Sequence, residues 1–266
     1  EMCIRDRPRR KTYWVPRPVG KGKWRKAWKR SRISKKALKG IQTLISVGAP
    51  IETRVAPRKS RRIYITDTEI NHLAHKLAHP TEIIIPTHFD TQLAKPLMRK
   101  RAIFHKIDGL HGHVHLHPHI RPKTVSNPPK VMVRRLLGDG IHDSDEILQI
   151  PENWLEGLSI FTADENEVMG NPWNLIQNVA NMDGVITQSV TLASEAVLLG
   201  VPTLLISRAK RGFLDRLKSD GYPLFIAKEK DESILAQWLA GIHLTSELEL
   251  PDWPNTRSEL LEIIKH

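Results

Sequence analysis

Three groups of residues in this 266-residue chain have types and spacings suited to chemistry. The first lies in residues 182–207. An apolar run, Gly184-Val185-Ile186-Thr187, is followed by a tight turn at Gln188-Ser189 and then by a helical pattern to Leu199. The first turn of that helix carries Ser189 and Thr191. A helix N-terminus has unpaired N–H groups and partial positive charge, so hydroxyls there suit a phosphate. Glu195 stands about one and a half turns further in, where a carboxylate could accept hydrogen bonds from a ribose diol.

The second group is Asp67 and Glu69, directly after the apolar run Arg62-Ile63-Tyr64-Ile65. Either could serve as a general base at a strand end. The same residues also read as a helix cap, because Thr66 and Glu69 have capping-box spacing. The third group is His111, His113, His115 and His117. On a strand, four alternate histidines face one side and could offer metal geometry. Gly112 and Pro118 interrupt a regular strand, however, and no cysteine or paired carboxylate is near in sequence. Imidazoles that line a polar cleft are the plainer reading, and no metal is expected. His72, His75 and His79 share one helix face and read as a half-exposed polar face. Arg134 and Arg208 each follow a predicted strand and could balance a pyrophosphate. Arg208 has Lys210 and Arg211 beside it, so a solvated basic loop is the alternative there. No Walker A, G-x-S-x-G or H-E-x-x-H pattern occurs, so P-loop, serine-hydrolase and zincin chemistries have no support.

These residues need a scaffold that brings strand ends together. Short apolar runs at 43–47, 62–65, 82–85 and 102–104 alternate with helical patterns. The alternation resumes at 131–133, 158–161, 184–187, 203–206 and 224–226. Such short, largely apolar runs are those of parallel strands buried on both faces. The spacing predicts α/β architecture with doubly wound sheets. Residues 121–130 are proline-rich and read as a linker between two domains, 41–120 and 131–266.

Charge is distributed unevenly. Residues 1–62 hold 21 Lys and Arg against 3 Asp and Glu, whereas the remaining residues are net acidic by six charges. Basic character therefore belongs to the N-terminal quarter, and it implies a polyanionic surface near it. In residues 8–40, Trp14, Trp24 and Trp28 are interleaved with the charges, and Trp24 and Trp28 share a face if 21–39 is a helix. Such a segment suits an anionic membrane surface. It also suits a nucleic-acid backbone with a stacked ring. A solvated helix whose tryptophans pack on the protein is the third possibility. Nucleic acid is the weakest of these, because the acidic remainder offers no second basic face. No run approaches the roughly 20 apolar residues of a membrane span. Cys3 is the single cysteine, so disulfides and cysteine zinc sites are excluded. A cytoplasmic location is expected, peripheral at a membrane face if residues 8–40 dock there.

The unit of strand, turn, Ser194-Glu195-Ala196 and Leu199-Gly200-Val201-Pro202 resembles the nucleotide-sugar half of GT-B fold proteins. These include non-hydrolysing UDP-N-acetylglucosamine 2-epimerases and lipid-linked N-acetylglucosaminyltransferases. Residues 40–230 more closely resemble the GT-B-like family catalogued as domain of unknown function 354. Ser46–Pro50, Thr66–Glu69, Gly109 with His117-Pro118, and Val133-Arg134 carry that likeness together with the helix unit. The resemblance implies two Rossmann-type domains facing a cleft, the first truncated at its N-terminus. It implies Ser189 and Thr191 as phosphate ligands and Glu195 as the ribose ligand. Arg134, Gln188 and Arg208 complete the candidate nucleotide-sugar ligands by their place beside strand ends, and Asp67, Glu69 and His111 are the catalytic candidates. The implied partner is a UDP-sugar, used without a metal or other cofactor by a glycosyltransferase-like protein. A 2-epimerase-like enzyme and a non-catalytic nucleotide- or RNA-binding protein are the alternatives. Residues 1–7, EMCIRDR, resemble a translated sequencing adapter and are expected to lie outside the natural chain.

Overall fold

The apolar runs become strands because both sheet faces must be covered, and the amphipathic segments between them supply the cover. The computed structural model describes residues 15–16, 21–117, 124–136, 148–163, 174–247 and 249–266. Trp14, residues 1–7, Pro118 and residues 121–123 of the proline-rich segment lie outside these. The chain forms two units: Glu1–Thr66, Ile70–Ile85 and Thr91–His105 in the first, and Asp67–Glu69, Pro86–Asp90 and Lys106–His266 in the second.

In the first unit, α1 (Lys23–Ala37) precedes β1 (Thr43–Val47), α2 (Pro50–Val55), β2 (Arg61–Ile65), α3 (His72–Leu77), β3 (Glu82–Pro86) and α4 (Lys95–Met98). β4 (Ile103–Ile107) completes a four-stranded sheet in the order β1-β2-β3-β4. Pairing is parallel between β1 and β2 and between β2 and β3. Ile63, Ile83, Ile84 and Ile85 are fully buried. α1 is held by its polar side: Arg30 Nε and Nη2 donate to Glu52 at 2.7 and 3.0 Å, and Ser34 Oγ donates to the same carboxylate at 2.9 Å. Trp24 and Trp28 are 68% and 63% exposed, so they are not packed on the protein. Lys23 and Arg32 lie over their rings.

Glu82 ties three strands together. Arg61 donates to its carboxylate through Nε and Nη2, and His105 Nε2 lies 3.0 Å from it. The Arg61 hydrogen bonds hold the Glu82 pKa below the usual carboxylate value, against the opposing pull of burial. A depressed pKa gives stability that is complete above the unfolded value and lost as pH falls through the folded one. Glu82→Gln should therefore cost about 1–3 kcal/mol at pH 7. The difference between the two proteins should shrink as pH drops below about 4.5. Urea melts of both proteins between pH 7 and pH 3 check this, and a constant difference across that range would contradict it.

In the second unit, α5 (His111–His115) precedes β5 (Lys130–Arg134), β6 (Ser159–Thr162), α6 (Leu175–Ala180), β7 (Gly184–Thr187) and α7 (Val190–Leu198). Then come β8 (Thr203–Ile206), α8 (Gly212–Ser219), β9 (Leu224–Ala227), α9 (Glu232–His243) and α10 (Thr256–Lys265). The five strands are parallel, in the order β6-β5-β7-β8-β9. Successive residues alternate between two cores. Met132, Val185 and Leu205 face one, and Val131, Val133, Ile186 and Leu204 face the other. The order reverses between β5 and β7, and open α/β sheets bind ligands at such a switch point, beyond the strands' carboxyl ends. No described helix is long and apolar enough to cross a membrane.

Candidate functional site

β5 ends at Arg134 and β7 at Thr187, so the switch point gathers the residues on either side of these two strand ends. Thr187 Oγ1 donates to the Arg134 carbonyl at 3.3 Å and accepts the Ser189 N–H at 2.9 Å. Ser189 caps α7, its Oγ accepting the Leu192 N–H at 3.4 Å. Thr191 is exposed in the first turn. The N-terminus of α7 thus has the strand–turn–helix form expected of an anion site. Gln188 is buried and committed to backbone. Its Oε1 accepts the Leu136 N–H at 2.7 Å and its Nε2 donates to the Leu148 carbonyl at 2.6 Å. Gln188 therefore fixes the chain beyond β5 and shapes the switch point from beneath. Arg134 Nη1 donates to the Ala163 carbonyl at 3.3 Å, and Arg208 Nε donates to the Lys228 carbonyl at 3.1 Å.

The row of alternate histidines is not a strand. Residues 111–115 form the short helix α5, which separates the imidazoles by function. His113 turns inward: its Nδ1 accepts the Leu110 N–H at 2.8 Å and its ring meets Trp253 edge-on. That bond leaves the proton on Nε2, which lies 3.4 Å from the Tyr222 hydroxyl. Burial pushes the His113 pKa down to about 4, so it is neutral at physiological pH. His111 and His115, one turn apart, stand together instead, with ring centroids separated by 4.8 Å. Glu195 joins them from α7, its Oε1 3.2 Å from His115 Nε2. The hydrogen bond to Glu195 raises the His115 pKa, against the effect of burial.

Asp67 and Glu69 do not cap the following helix. That helix, α3, begins at His72, with the Asn71 side chain accepting the Ala74 N–H. The capping-box spacing of Thr66 and Glu69 is thus overruled by a stretch of irregular chain. Glu69 is 1% exposed, and its Oε1 accepts the N–H groups of Gly212 at 3.2 Å and Asp90 at 3.4 Å. It sits at the N-terminal end of α8, where a carboxylate complements the helix dipole. Burial raises its pKa, opposed by these backbone donors and by the charge of Arg211. Asp67 is only half-buried and takes a hydrogen bond from the Thr68 hydroxyl. Of the two carboxylates, Asp67 has the better access for proton transfer.

A cavity of about 260 Å³ in the second unit collects residues that the sequence reading did not single out. His88, Asp108, Arg216, Asp220 and Tyr222 line it together with His113. Burial, reinforced by the Arg216 charge, lowers the His88 pKa to about 4. Burial also raises that of Tyr222 to about 12. The wall therefore offers neutral imidazoles, a protonated phenol and the Arg216–Asp220 pair, with contacts at 2.6 and 2.7 Å. Only the four-residue spacing of Arg216 and Asp220 was visible in sequence.

Among the solved structures that share this fold are the following two. One is a Listeria monocytogenes protein provisionally assigned as a UDP-N-acetylglucosamine 2-epimerase. It aligns over 90% of this chain and 77% of its own, with a TM-score of 0.54 and 9% identity. The other is TarM, aligned over 89% of this chain and 56% of its own, with a TM-score of 0.50 and 10% identity. No protein-family model and no curated protein matches the sequence. The fold is thus the α/β architecture of two Rossmann-type units found in GT-B-like proteins. At these identities the likeness extends to the fold alone.

Proposed function

We propose that the protein binds a UDP-linked sugar and transfers the sugar to an acceptor, as a glycosyltransferase-like enzyme. The observation that carries this reading is the switch point itself, where Arg134 at the end of β5 pairs with Thr187 at the end of β7, directly before the Ser189 cap and Thr191 at the head of α7. There the diphosphate meets a helix N-terminus and two hydroxyls, with Arg134 and Arg208 to offset its charge. Glu195, one and a half turns along α7, presents Oε2 to the ribose, since Oε1 lies against His115. Asp67 deprotonates the acceptor hydroxyl, with Glu69 and His111 as the other acid–base candidates. Leaving-group charge is stabilised by the helix dipole and the two arginines. The exposed tryptophans and lysines of α1 suit an anionic membrane that carries a lipid-linked acceptor. Epimerisation of the same substrate is the second reading, favoured by the assignment of the Listeria structure.

Calorimetric titration with UDP, in a chelating buffer, tests the nucleotide site. UDP should bind and raise the melting temperature. Arg134→Ala should weaken binding by about 1.5–3 kcal/mol, the usual cost of losing a charged hydrogen-bond donor. Thr191→Val should weaken it by about 1 kcal/mol. Absence of UDP binding, or unchanged affinity in both folded variants, overturns the reading.

A further inference from the structure

We propose that His111, His115 and Glu195 form a binding site for a late first-row divalent cation, with Zn²⁺ the best match. One ligand-capable atom from each of the three lies within 4.8 Å of the others. In a tetrahedral zinc site with bonds of about 2.0–2.1 Å, neighbouring ligand atoms are about 3.3 Å apart. The His115 Nε2 to Glu195 Oε1 separation of 3.2 Å already matches that edge. His111 is exposed at the start of α5, so its ring has room to turn and close the triangle.

Two further features prepare these groups for a metal. His115 Nδ1 lies 3.0 Å from the His111 carbonyl, which accepts its proton. That bond fixes the tautomer in which the Nε2 lone pair points outward, as metal-binding histidines are usually held. The second feature is Gly112, between the two ligands. A Cβ there would stand 2.4 Å from Leu198 Cδ1. Its absence lets the α5 backbone close on α7, and this approach brings Glu195 beside the imidazoles. Two imidazoles and one carboxylate suit zinc and its neighbours, whereas magnesium and calcium prefer oxygen ligands throughout. Three protein ligands leave a fourth position for water or a substrate atom.

The proposal does not rest on the nucleotide-sugar reading, and its test contains no nucleotide. Chelator-treated protein is dialysed against Zn²⁺ and its metal content measured, with Co²⁺ uptake followed by visible absorption. We expect one ion per chain. His111→Ala, His115→Ala and Glu195→Gln should each weaken binding at least about tenfold. His117→Ala, which removes an exposed imidazole outside the cluster, should leave it unchanged. Circular dichroism confirms that each variant is folded, and His111→Ala is informative alone because its ring is exposed. Failure to take up stoichiometric metal overturns the site, as does uptake that survives His111→Ala and Glu195→Gln. In that case His115 and Glu195 form an ion pair only. His115→Ala removes a metal ligand that has no assigned part in holding UDP, so it should lose metal while still binding UDP in chelator, and the two proposals fail separately.

Discussion

Trp238→Ala is expected to destabilise the second unit by about 3–5 kcal/mol, the range for truncating a buried aromatic side chain. Trp238 is 0% exposed, and its Nε1 donates to the Pro202 carbonyl at 3.0 Å. It lies directly over Gly184, the first residue of β7, where a Cβ would stand 2.7 Å from the indole. The strand is built to receive this ring, so truncation leaves a cavity that a packed sheet cannot collapse into. The Pro202 carbonyl, at the entry to β8, would also lose one of its two donors and keep the Val185 N–H. Urea denaturation followed by circular dichroism measures the change. A loss below about 1 kcal/mol would mean that α9 is not part of the cooperative core. Trp238→Phe keeps most of the volume, so it should recover much of the loss while omitting the hydrogen bond.

Gly109→Ala is the second large effect, expected at about 2–4 kcal/mol from backbone strain and overpacking together. Gly109 has φ +90°, a conformation that side chains disfavour. Its added Cβ would fall 2.0 Å from Thr256 Oγ1 and 3.0 Å from His113 Nδ1. Thr256 is fully buried at the start of α10, and His113 Nδ1 holds the first turn of α5. The chain must therefore shift where α5 and α10 pack together. Gly221→Ala separates the two causes. Its φ is +86° but nothing lies within 4 Å of the added atom, so strain acts alone. That variant should lose only about 1–2 kcal/mol. Equal losses in the two variants would show that the Thr256 and His113 contacts relax at no cost.

Much of this protein was written in local sequence. Runs such as Glu82–Pro86 and Thr203–Ile206 are apolar enough to demand cover on both faces, which alone specifies a parallel α/β sheet. The hydroxyl-bearing head of α7 was legible for the same reason, because a strand, a turn and a helix start are local events. Local pattern failed where partners are distant in sequence. Thr66 and Glu69 have capping-box spacing, yet Glu69 is bound by the N–H of Gly212, 143 residues away. Gln188, read as a ligand from the turn it occupies, is bound to backbone at Leu136 and Leu148.

The histidine row shows the division most clearly. Sequence alone determined that four imidazoles lie at alternate positions, with no paired carboxylate nearby in the chain. A period of two placed them on one strand face, and the interruption by Gly112 and Pro118, with no paired carboxylate at hand, argued against a metal. Tertiary structure made residues 111–115 a helix, whose 3.6-residue period keeps His111 with His115 and turns His113 into the core. It then supplied the missing carboxylate from Glu195, 80 residues from His115, because Gly112 lets α5 approach α7. A short segment has too few hydrogen bonds to choose its own conformation. Packing against α7 and α10 decided it, and with it which side chains meet.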